Sequence, residues 1–160
     1  MLLNPNNPFF GTQSRDVDEA SRALRLKIHI EGATNESEIA SAFATFARRN
    51  VGALLVGADP YFNSERALVI APTVQLRLPA IYDWREFAEA GGLMSYGTSL
   101  TGAYRQASDF VARILKGANS ADLPVLQATK FEFVINLNTA KSLGIKISDN
   151  LLSLADEVIE

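Results

Sequence analysis

Three clusters of polar and aromatic side chains contain the residue types in this sequence that could bind a ligand. Each cluster follows an apolar run that predicts a strand, and the candidate residues are Asn4, Asn7, Asp59, Tyr61, Tyr82 and Trp84. An aspartate can hold a ligand's cationic group, and aromatic rings can stack on its flat or apolar part. Because the carboxyl ends of parallel strands lie at one edge of a sheet, these side chains predict a binding edge for a small polar molecule. The alternative is ordinary turn chemistry, since Asn-Pro and Asp-Pro pairs are common in turns.

Residues for catalysis or metal binding are sparse. His29 is the only histidine, and we interpret it as an exposed residue of a predicted strand because no partner for acid–base work is evident beside it. The sequence contains no Walker loop, no G-x-S-x-G and no G-x-G-x-x-G after a strand. No cluster of histidines, cysteines or carboxylates stands out as a metal site. We therefore predict no catalytic residues, no metal and no cofactor.

The composition is that of one ordinary globular domain. The 160 residues are 48% hydrophobic and 21% charged, with a net charge of -3 and no cysteine. A weak negative charge gives no field for nucleic acid, and the lack of cysteine excludes disulfides and thiolate chemistry. No apolar run approaches the ~18 residues of a membrane span, and the opening MLLNPNNP lacks the basic region of a signal peptide.

Hydrophobic periodicity predicts alternating strands and helices, and hence a parallel sheet. Asn35 and Glu38 have the spacing of a capping box, and Asn63 is a candidate cap for a helix that begins at Ser64. The predicted strands are Met1 to Leu3, Leu26 to Ile30, Val51 to Ala58, Leu78 to Ile81, Leu93 to Tyr96, Leu123 to Leu126 and Phe131 to Leu137. The Gly91-Gly92 break between the fourth and fifth strands suggests that the chain leaves one packed unit there.

Several segments resemble one known family over nearly the whole chain. They are LLNPNNP at 2–8, AFATFARRNVGALLVGADPYFNSER at 42–66, LPAIYDWREFAEAGGLMSYG at 78–97, ARILKGANSADLPV at 112–125 and KFEFVINLNTAKSLGI at 130–145. These segments are similar to the ABC-transporter substrate-binding proteins related to tryptophan- and tyrosine-binding members. Gly91 to Gly97 and Asp122 to Leu143 are the more specific blocks.

The resemblance implies a type I periplasmic-binding-protein fold, an α/β three-layer sandwich with a parallel sheet in each of two lobes. Residues 1–84 and 123–160 would then form the second ligand-binding lobe. Residues 85–122 would be a crossover with a strand and a helix of an otherwise missing first lobe. Family members are about twice this length, so the resemblance implies a C-terminal fragment of an incomplete two-lobe protein.

The function that the resemblance implies is that of a non-enzymatic solute-binding component of an ABC importer. It would deliver a small molecule, such as an amino acid, to the transporter permease. The protein would be periplasmic or lipid-anchored outside the inner membrane. The apolar residues of 93–116, deprived of the first lobe, predict self-association of this chain. The alternative function is a stand-alone flavodoxin-like domain, regulatory or enzymatic, that uses the same strand ends.

Overall fold

The computed structural model describes residues 1–126 and 131–160. Within these ranges the strands are β1 (Leu2–Leu3), β2 (Glu31–Gly32), β3 (Leu54–Leu55), β4 (Ala80–Tyr82), β5 (Met94–Thr98), β6 (Phe131–Asn136) and β7 (Glu157–Ile159). The helices are α1 (Phe10–Leu24), α2 (Glu36–Arg48), α3 (Pro60–Ser64), α4 (Arg66–Gln75), α5 (Arg85–Glu89), α6 (Leu100–Leu115), α7 (Leu137–Leu143) and α8 (Asp149–Leu152). Residues 127–130 belong to the predicted second-lobe segment 123–160 but lie outside the described ranges.

The sheet is mostly parallel and follows the predicted βα alternation. Five strands lie in the order β3-β4-β5-β6-β7, and β1 pairs with β2 beside them. A parallel bridge between Leu2 and Val56, together with a 2.9 Å hydrogen bond from Gly57 N to Leu2 O, connects the two parts. Only the β5–β6 pair among the described strands is antiparallel. The carboxyl ends of β1, β3, β4 and β5 therefore lie at one edge.

The helix boundaries have local causes that can be read from the sequence. Asn35 Oδ1 accepts a hydrogen bond from Glu38 N at the start of α2. The Glu38 carboxylate accepts a hydrogen bond from Thr34 N. In a complete capping box it would accept one from Asn35 N instead. At the end of α7, Gly144 adopts a left-handed conformation with φ of 72°, which glycine accommodates without strain.

Two hydrophobic cores lie against the sheet. The larger one combines Phe43 and Phe46 of α2 with Val69 of α4, Tyr82 of β4 and Phe87 of α5. The smaller one packs α7 and α8 on β5 and β6, around Leu93, Ile135, Ala140 and Ile147. Burial of these apolar faces against the sheet is what makes the βα alternation a stable unit.

The strand after Gly92, β5, pairs with strands from both sides of the Gly91-Gly92 break, while the assignment of residues 85–122 to a first lobe stays a prediction. β5 lies between β4 and β6 in the same sheet, with Tyr82 opposite Ser95 on one side and Ser95 opposite Val134 on the other. A strand's partners are set by hydrogen bonds to distant residues, which a glycine break does not reveal. Helix α6, in contrast, buries none of its residues.

Four predictions needed correction at the level of single elements. Leu26–Ile30 is not a strand, because the pairing with β1 occurs at Glu31–Gly32. Only Leu54–Leu55 of the Val51 to Ala58 run is a strand, because the paired part of β4 is equally short. Leu123–Leu126 is not a strand either, because Pro124 lacks an N–H and Val125 is fully exposed. Asp59, rather than Asn63, caps the helix that follows β3.

Candidate functional site

Asp59 lies at the carboxyl edge of the sheet, where it fastens two loops together. Its Oδ1 accepts hydrogen bonds from Asn4 Nδ2 at 3.0 Å, and from the backbone N–H groups of Tyr61 at 3.0 Å and Phe62 at 3.2 Å. Its Oδ2 accepts from Asn7 Nδ2 at 2.7 Å. The side chain is buried, with 4% of its surface exposed. The loop after β1 is therefore fixed to the first turn of α3 through one carboxylate.

In Asn4 and Asn7, both the oxygen and the nitrogen of the side-chain amide form hydrogen bonds. Asn7 Nδ2 also donates to Ala58 O at 3.1 Å, and Asn7 Oδ1 accepts from Phe9 N at 2.8 Å. Asn4 Oδ1 accepts from Asn6 N at 2.9 Å. Asn4, Asn7 and Asp59, which we name the edge clasp, thus satisfy one another and the local backbone. The structure brings these three predicted residues together, with most of their polar groups already in use.

Tyr82 is the last residue of β4, but its side chain points into the larger core. The ring stacks on Phe87 with centroids 4.6 Å apart, and its hydroxyl lies 3.2 Å from Thr73 Oγ1. Burial raises the pKa of its phenol to about 12. With 1% of its surface exposed, this ring belongs to the core and not to the accessible edge, and its role as a ligand-binding residue stays a prediction. The side-chain alternation at the end of β4 turns it inward.

Tyr61 and Trp84 lie at the edge itself and are half-buried. Tyr61 is in the first turn of α3, directly after the edge clasp, and Trp84 is the residue before α5. Both pack on the margin of the larger core while part of each ring stays accessible. Burial, and next to it the negative charge of Glu65, raises the pKa of the Tyr61 phenol. These two rings are the apolar surfaces that the edge offers to a ligand.

Asp83 belongs to the predicted strand end Tyr82 to Trp84 but is not among the six candidate residues, and Gly97 was not identified at all. Asp83 follows β4 between Tyr82 and Trp84, is half-buried, and has a pKa raised by burial. A Cβ atom at Gly97 would clash with the Asp83 carbonyl oxygen and lie 2.6 Å from Asp83 Oδ1. The signals that could have identified them are a carboxylate next to an inward-facing strand residue, and a glycine inside a strand.

His29 lies away from the edge clasp. Its Nδ1 is 2.7 Å from Arg49 Nη1, and that guanidinium also lies 3.7 Å from Glu31 Oε1. His29 is therefore part of a polar contact with Arg49 and Glu31 and not of the edge clasp.

The described residues also bear on metal sites and membrane spans. In residues 1–126 and 131–160, no group of three or more histidines, cysteines or carboxylates is arranged to hold a metal ion. Across the same residues, no helix is both long and apolar enough to cross a membrane.

Three solved structures resemble this chain over nearly all of its length. An ABC domain from Streptococcus pneumonia in complex with L-Trp has a TM-score of 0.86 and 25% identity, covering 99% of this chain and 55% of that one. A conserved domain protein from Vibrio cholerae has a TM-score of 0.87 and 23% identity, covering 98% of this chain and 53% of that one. The ligand-free, open form of a substrate-binding protein with adhesive properties from Clostridium difficile has a TM-score of 0.69 and 18% identity, covering 99% and 53%.

These similarities show the periplasmic-binding-protein type of α/β fold, and the chain spans about half the length of each of the three structures. A search of the curated proteins finds no match. The family model described as ABC transporter substrate binding protein matches residues 4–159. Proteins of this kind are generally not enzymes and are typically extracytoplasmic. The chain therefore belongs to the ABC transporter substrate-binding protein family.

Proposed function

We propose that this chain is the second lobe of a non-enzymatic solute-binding component of an ABC importer, and that it binds an amino-acid-like small molecule. The observation that carries the proposal is the family match over residues 4–159. The similar structure from Streptococcus pneumonia, which holds L-Trp, supports an amino acid as the class of ligand. In this proposal the partner is the transporter permease, and the protein works in the periplasm or on a lipid anchor outside the inner membrane.

The ligand would lie at the carboxyl edge of the sheet, in the crevice that α/β folds commonly use. Tyr61 and Trp84 would contact the ligand because their rings are half-exposed there. Asn4, Asn7 and Asp59 would act mainly by holding the loops in position, since their polar atoms are already paired. Tyr82 would support the edge from inside the core.

Helix α6 supports the part of the proposal that concerns a second lobe. Leu100, Tyr104, Ala107, Val111 and Ile114 follow one another at spacings of four, three, four and three, which we name the α6 seam. This is the spacing by which one helix packs on another. Tyr104 is 73% and Val111 55% exposed. In a two-lobe protein the α6 seam would pack on the first lobe, while the rest of the described chain forms the second.

The same exposed seam leads us to propose that this chain self-associates when it is isolated. Burial of a valine or isoleucine side chain contributes roughly 1.5 to 3 kcal/mol, so an unpartnered apolar stripe favours association with a second copy. A two-fold pair is the simplest arrangement because the same stripe serves both copies.

Nuclear magnetic resonance on the ¹⁵N-labelled chain tests ligand binding, since it detects millimolar affinities that a single lobe would have. Trp84 is the sole tryptophan, so its indole N–H gives one reporter signal at the edge. We expect L-tryptophan or another amino acid to shift this signal and the amides of Asp59 to Tyr61. Tyr61→Ala should weaken the effect, whereas Tyr104→Ala on α6 should leave it unchanged. If no amino acid shifts these signals, the proposed binding at this edge is wrong.

A further inference from the structure

The edge contains two aspartates whose surroundings differ sharply. Both oxygens of Asp59 are occupied, since they accept four hydrogen bonds from Asn4, Asn7 and the start of α3. A carboxylate offers about four acceptor positions. A ligand cation could reach Asp59 only by displacing donors that hold the loops together, so Asp59 is poorly suited to be the ligand's counter-ion.

The Asp83 carboxylate, unlike that of Asp59, lacks hydrogen-bond donors within the described chain. Among the described residues, none donates a hydrogen bond to its carboxylate, and none forms an ion pair with it. It is nevertheless half-buried, and this burial raises its pKa. A carboxylate that loses water without gaining a partner is unfavourable for the lobe alone. Such a group gains most from a ligand that brings a positive charge.

Gly97 explains how Asp83 comes to lie at this point. A Cβ at position 97 would lie 2.6 Å from Asp83 Oδ1, so only glycine allows the carboxylate to rest against β5. Gly97 is paired in register with Glu132 of β6, which makes Glu132 the second carboxylate beside it.

The basic side chain beside Glu132 is already paired. Arg85 lies 3.6 Å from Glu132, and its guanidinium also contacts Glu89 at 2.8 Å and Glu157 at 2.7 Å. Of the two carboxylates beside Gly97, Glu132 therefore has an ion-pair partner within the described chain, while Asp83 forms no ion pair there.

We propose that Asp83 is the residue that receives the cationic amino group of the ligand. This assignment rests on the proposed function and specifies its ligand class as a small molecule with a primary ammonium group. The partly exposed ring of the adjacent Trp84 then contacts the remainder of the molecule. Asp59 keeps its role in the edge clasp and makes no direct contact with the ammonium group.

Paired ligands with and without the amino group test this assignment on the ¹⁵N-labelled chain. The probes are L-tryptophan with 3-indolepropionate, and L-leucine with 4-methylpentanoate. We expect at least one amino acid to shift the Trp84 indole signal with an affinity about tenfold or more above that of its deaminated partner. Asp83→Asn should remove this preference, while Asp109→Asn on exposed α6 should keep it.

The outcomes separate this inference from the proposed function. If an amino acid binds at the edge and Asp83→Asn keeps the wild-type affinity, Asp83 is not the counter-ion although the edge still binds ligand. Equal binding of the deaminated partners overturns the assignment in the same way. If no probe shifts any edge signal of the wild-type chain, the proposed function fails, and this assignment fails with it. Circular dichroism of Asp83→Asn checks that the variant is folded, and a folded variant without the preference supports the assignment.

Discussion

Replacing Asp59 with alanine should destabilise the folded chain by about 3 kcal/mol, because one side chain satisfies four donors. Loss of the cap of α3 costs about 1 kcal/mol. The amides of Asn4 and Asn7 each lose a hydrogen bond to a charged acceptor. We assign about 1 kcal/mol to each lost bond, because both residues are half-buried and their amides can form hydrogen bonds with water instead.

Asn35→Ala is the matched control. Asn35 also caps a helix with a side-chain oxygen, but it is exposed, and its Oδ1 accepts only the bond from Glu38 N among the described residues. Its removal should cost about 1 kcal/mol. The difference of about 2 kcal/mol between the two variants measures what the edge clasp adds beyond a simple cap.

Urea unfolding followed by Trp84 fluorescence measures both variants. With a slope of about 2 kcal/mol per molar, the midpoint should fall by about 1.5 M for Asp59→Ala and by about 0.5 M for Asn35→Ala. Equal shifts would refute the reasoning, since Asp59 would then act as a cap alone. Asp59→Asn should fall between them, because it keeps an oxygen for the cap but places an amide N–H₂ group towards Asn7 Nδ2, where no hydrogen bond forms.

Three further outcomes follow from the same structure. Burial raises the pKa of Asp83 above its ordinary 3.8, so its ionisation opposes folding: stability is complete below that ordinary pKa and falls as the pH rises through the folded-state value. Asp83→Asn should therefore melt at a higher temperature than wild type at neutral pH but not below pH 3.8, and an equal advantage in both thermal scans would contradict this. Tyr82→Phe, which removes the hydroxyl near Thr73, should cost about 1 kcal/mol in urea unfolding and leave ligand binding unchanged; a binding loss would show that the ring reaches the cleft. In light scattering, Val111→Asp on the α6 seam should convert the self-associated chain to a monomer while its neighbour Ala112→Asp should not, and a monomeric wild-type chain at micromolar concentration would contradict the proposed association.

Local signals in the sequence were sufficient for much of the scaffold. The cap at Asn35 and the helix end at Gly144 depend on residues within a few positions, so they were predictable without knowledge of the rest of the fold. The βα alternation and the parallel sheet also followed from hydrophobic periodicity. The quoted motifs, read as a resemblance, identified the family that the match over residues 4–159 then showed.

The direction of single side chains at the edge depended on tertiary structure. Tyr82, Asp83 and Trp84 are consecutive, yet Tyr82 is buried in the core and the other two are half-buried at the edge. A shift of one residue in the end of β4 would exchange these roles, because side chains alternate along a strand. The pairing of β4 with its neighbours, with Ile81 opposite Met94 and Tyr82 opposite Ser95, fixes that phase.

Sequence by itself thus determined the fold class and the presence of polar groups at the carboxyl edge, since these follow from periodicity and residue type, and the resemblance of the quoted segments indicated the family. Tertiary structure alone decided that Asp59 is saturated while Asp83 is unpaired, because their partners come from distant segments: Asn4 lies 55 positions from Asp59. It also decided that β5 joins this sheet while α6 stays exposed. Whether a carboxylate can accept a ligand depends on which donors already occupy it, and long-range packing sets those donors.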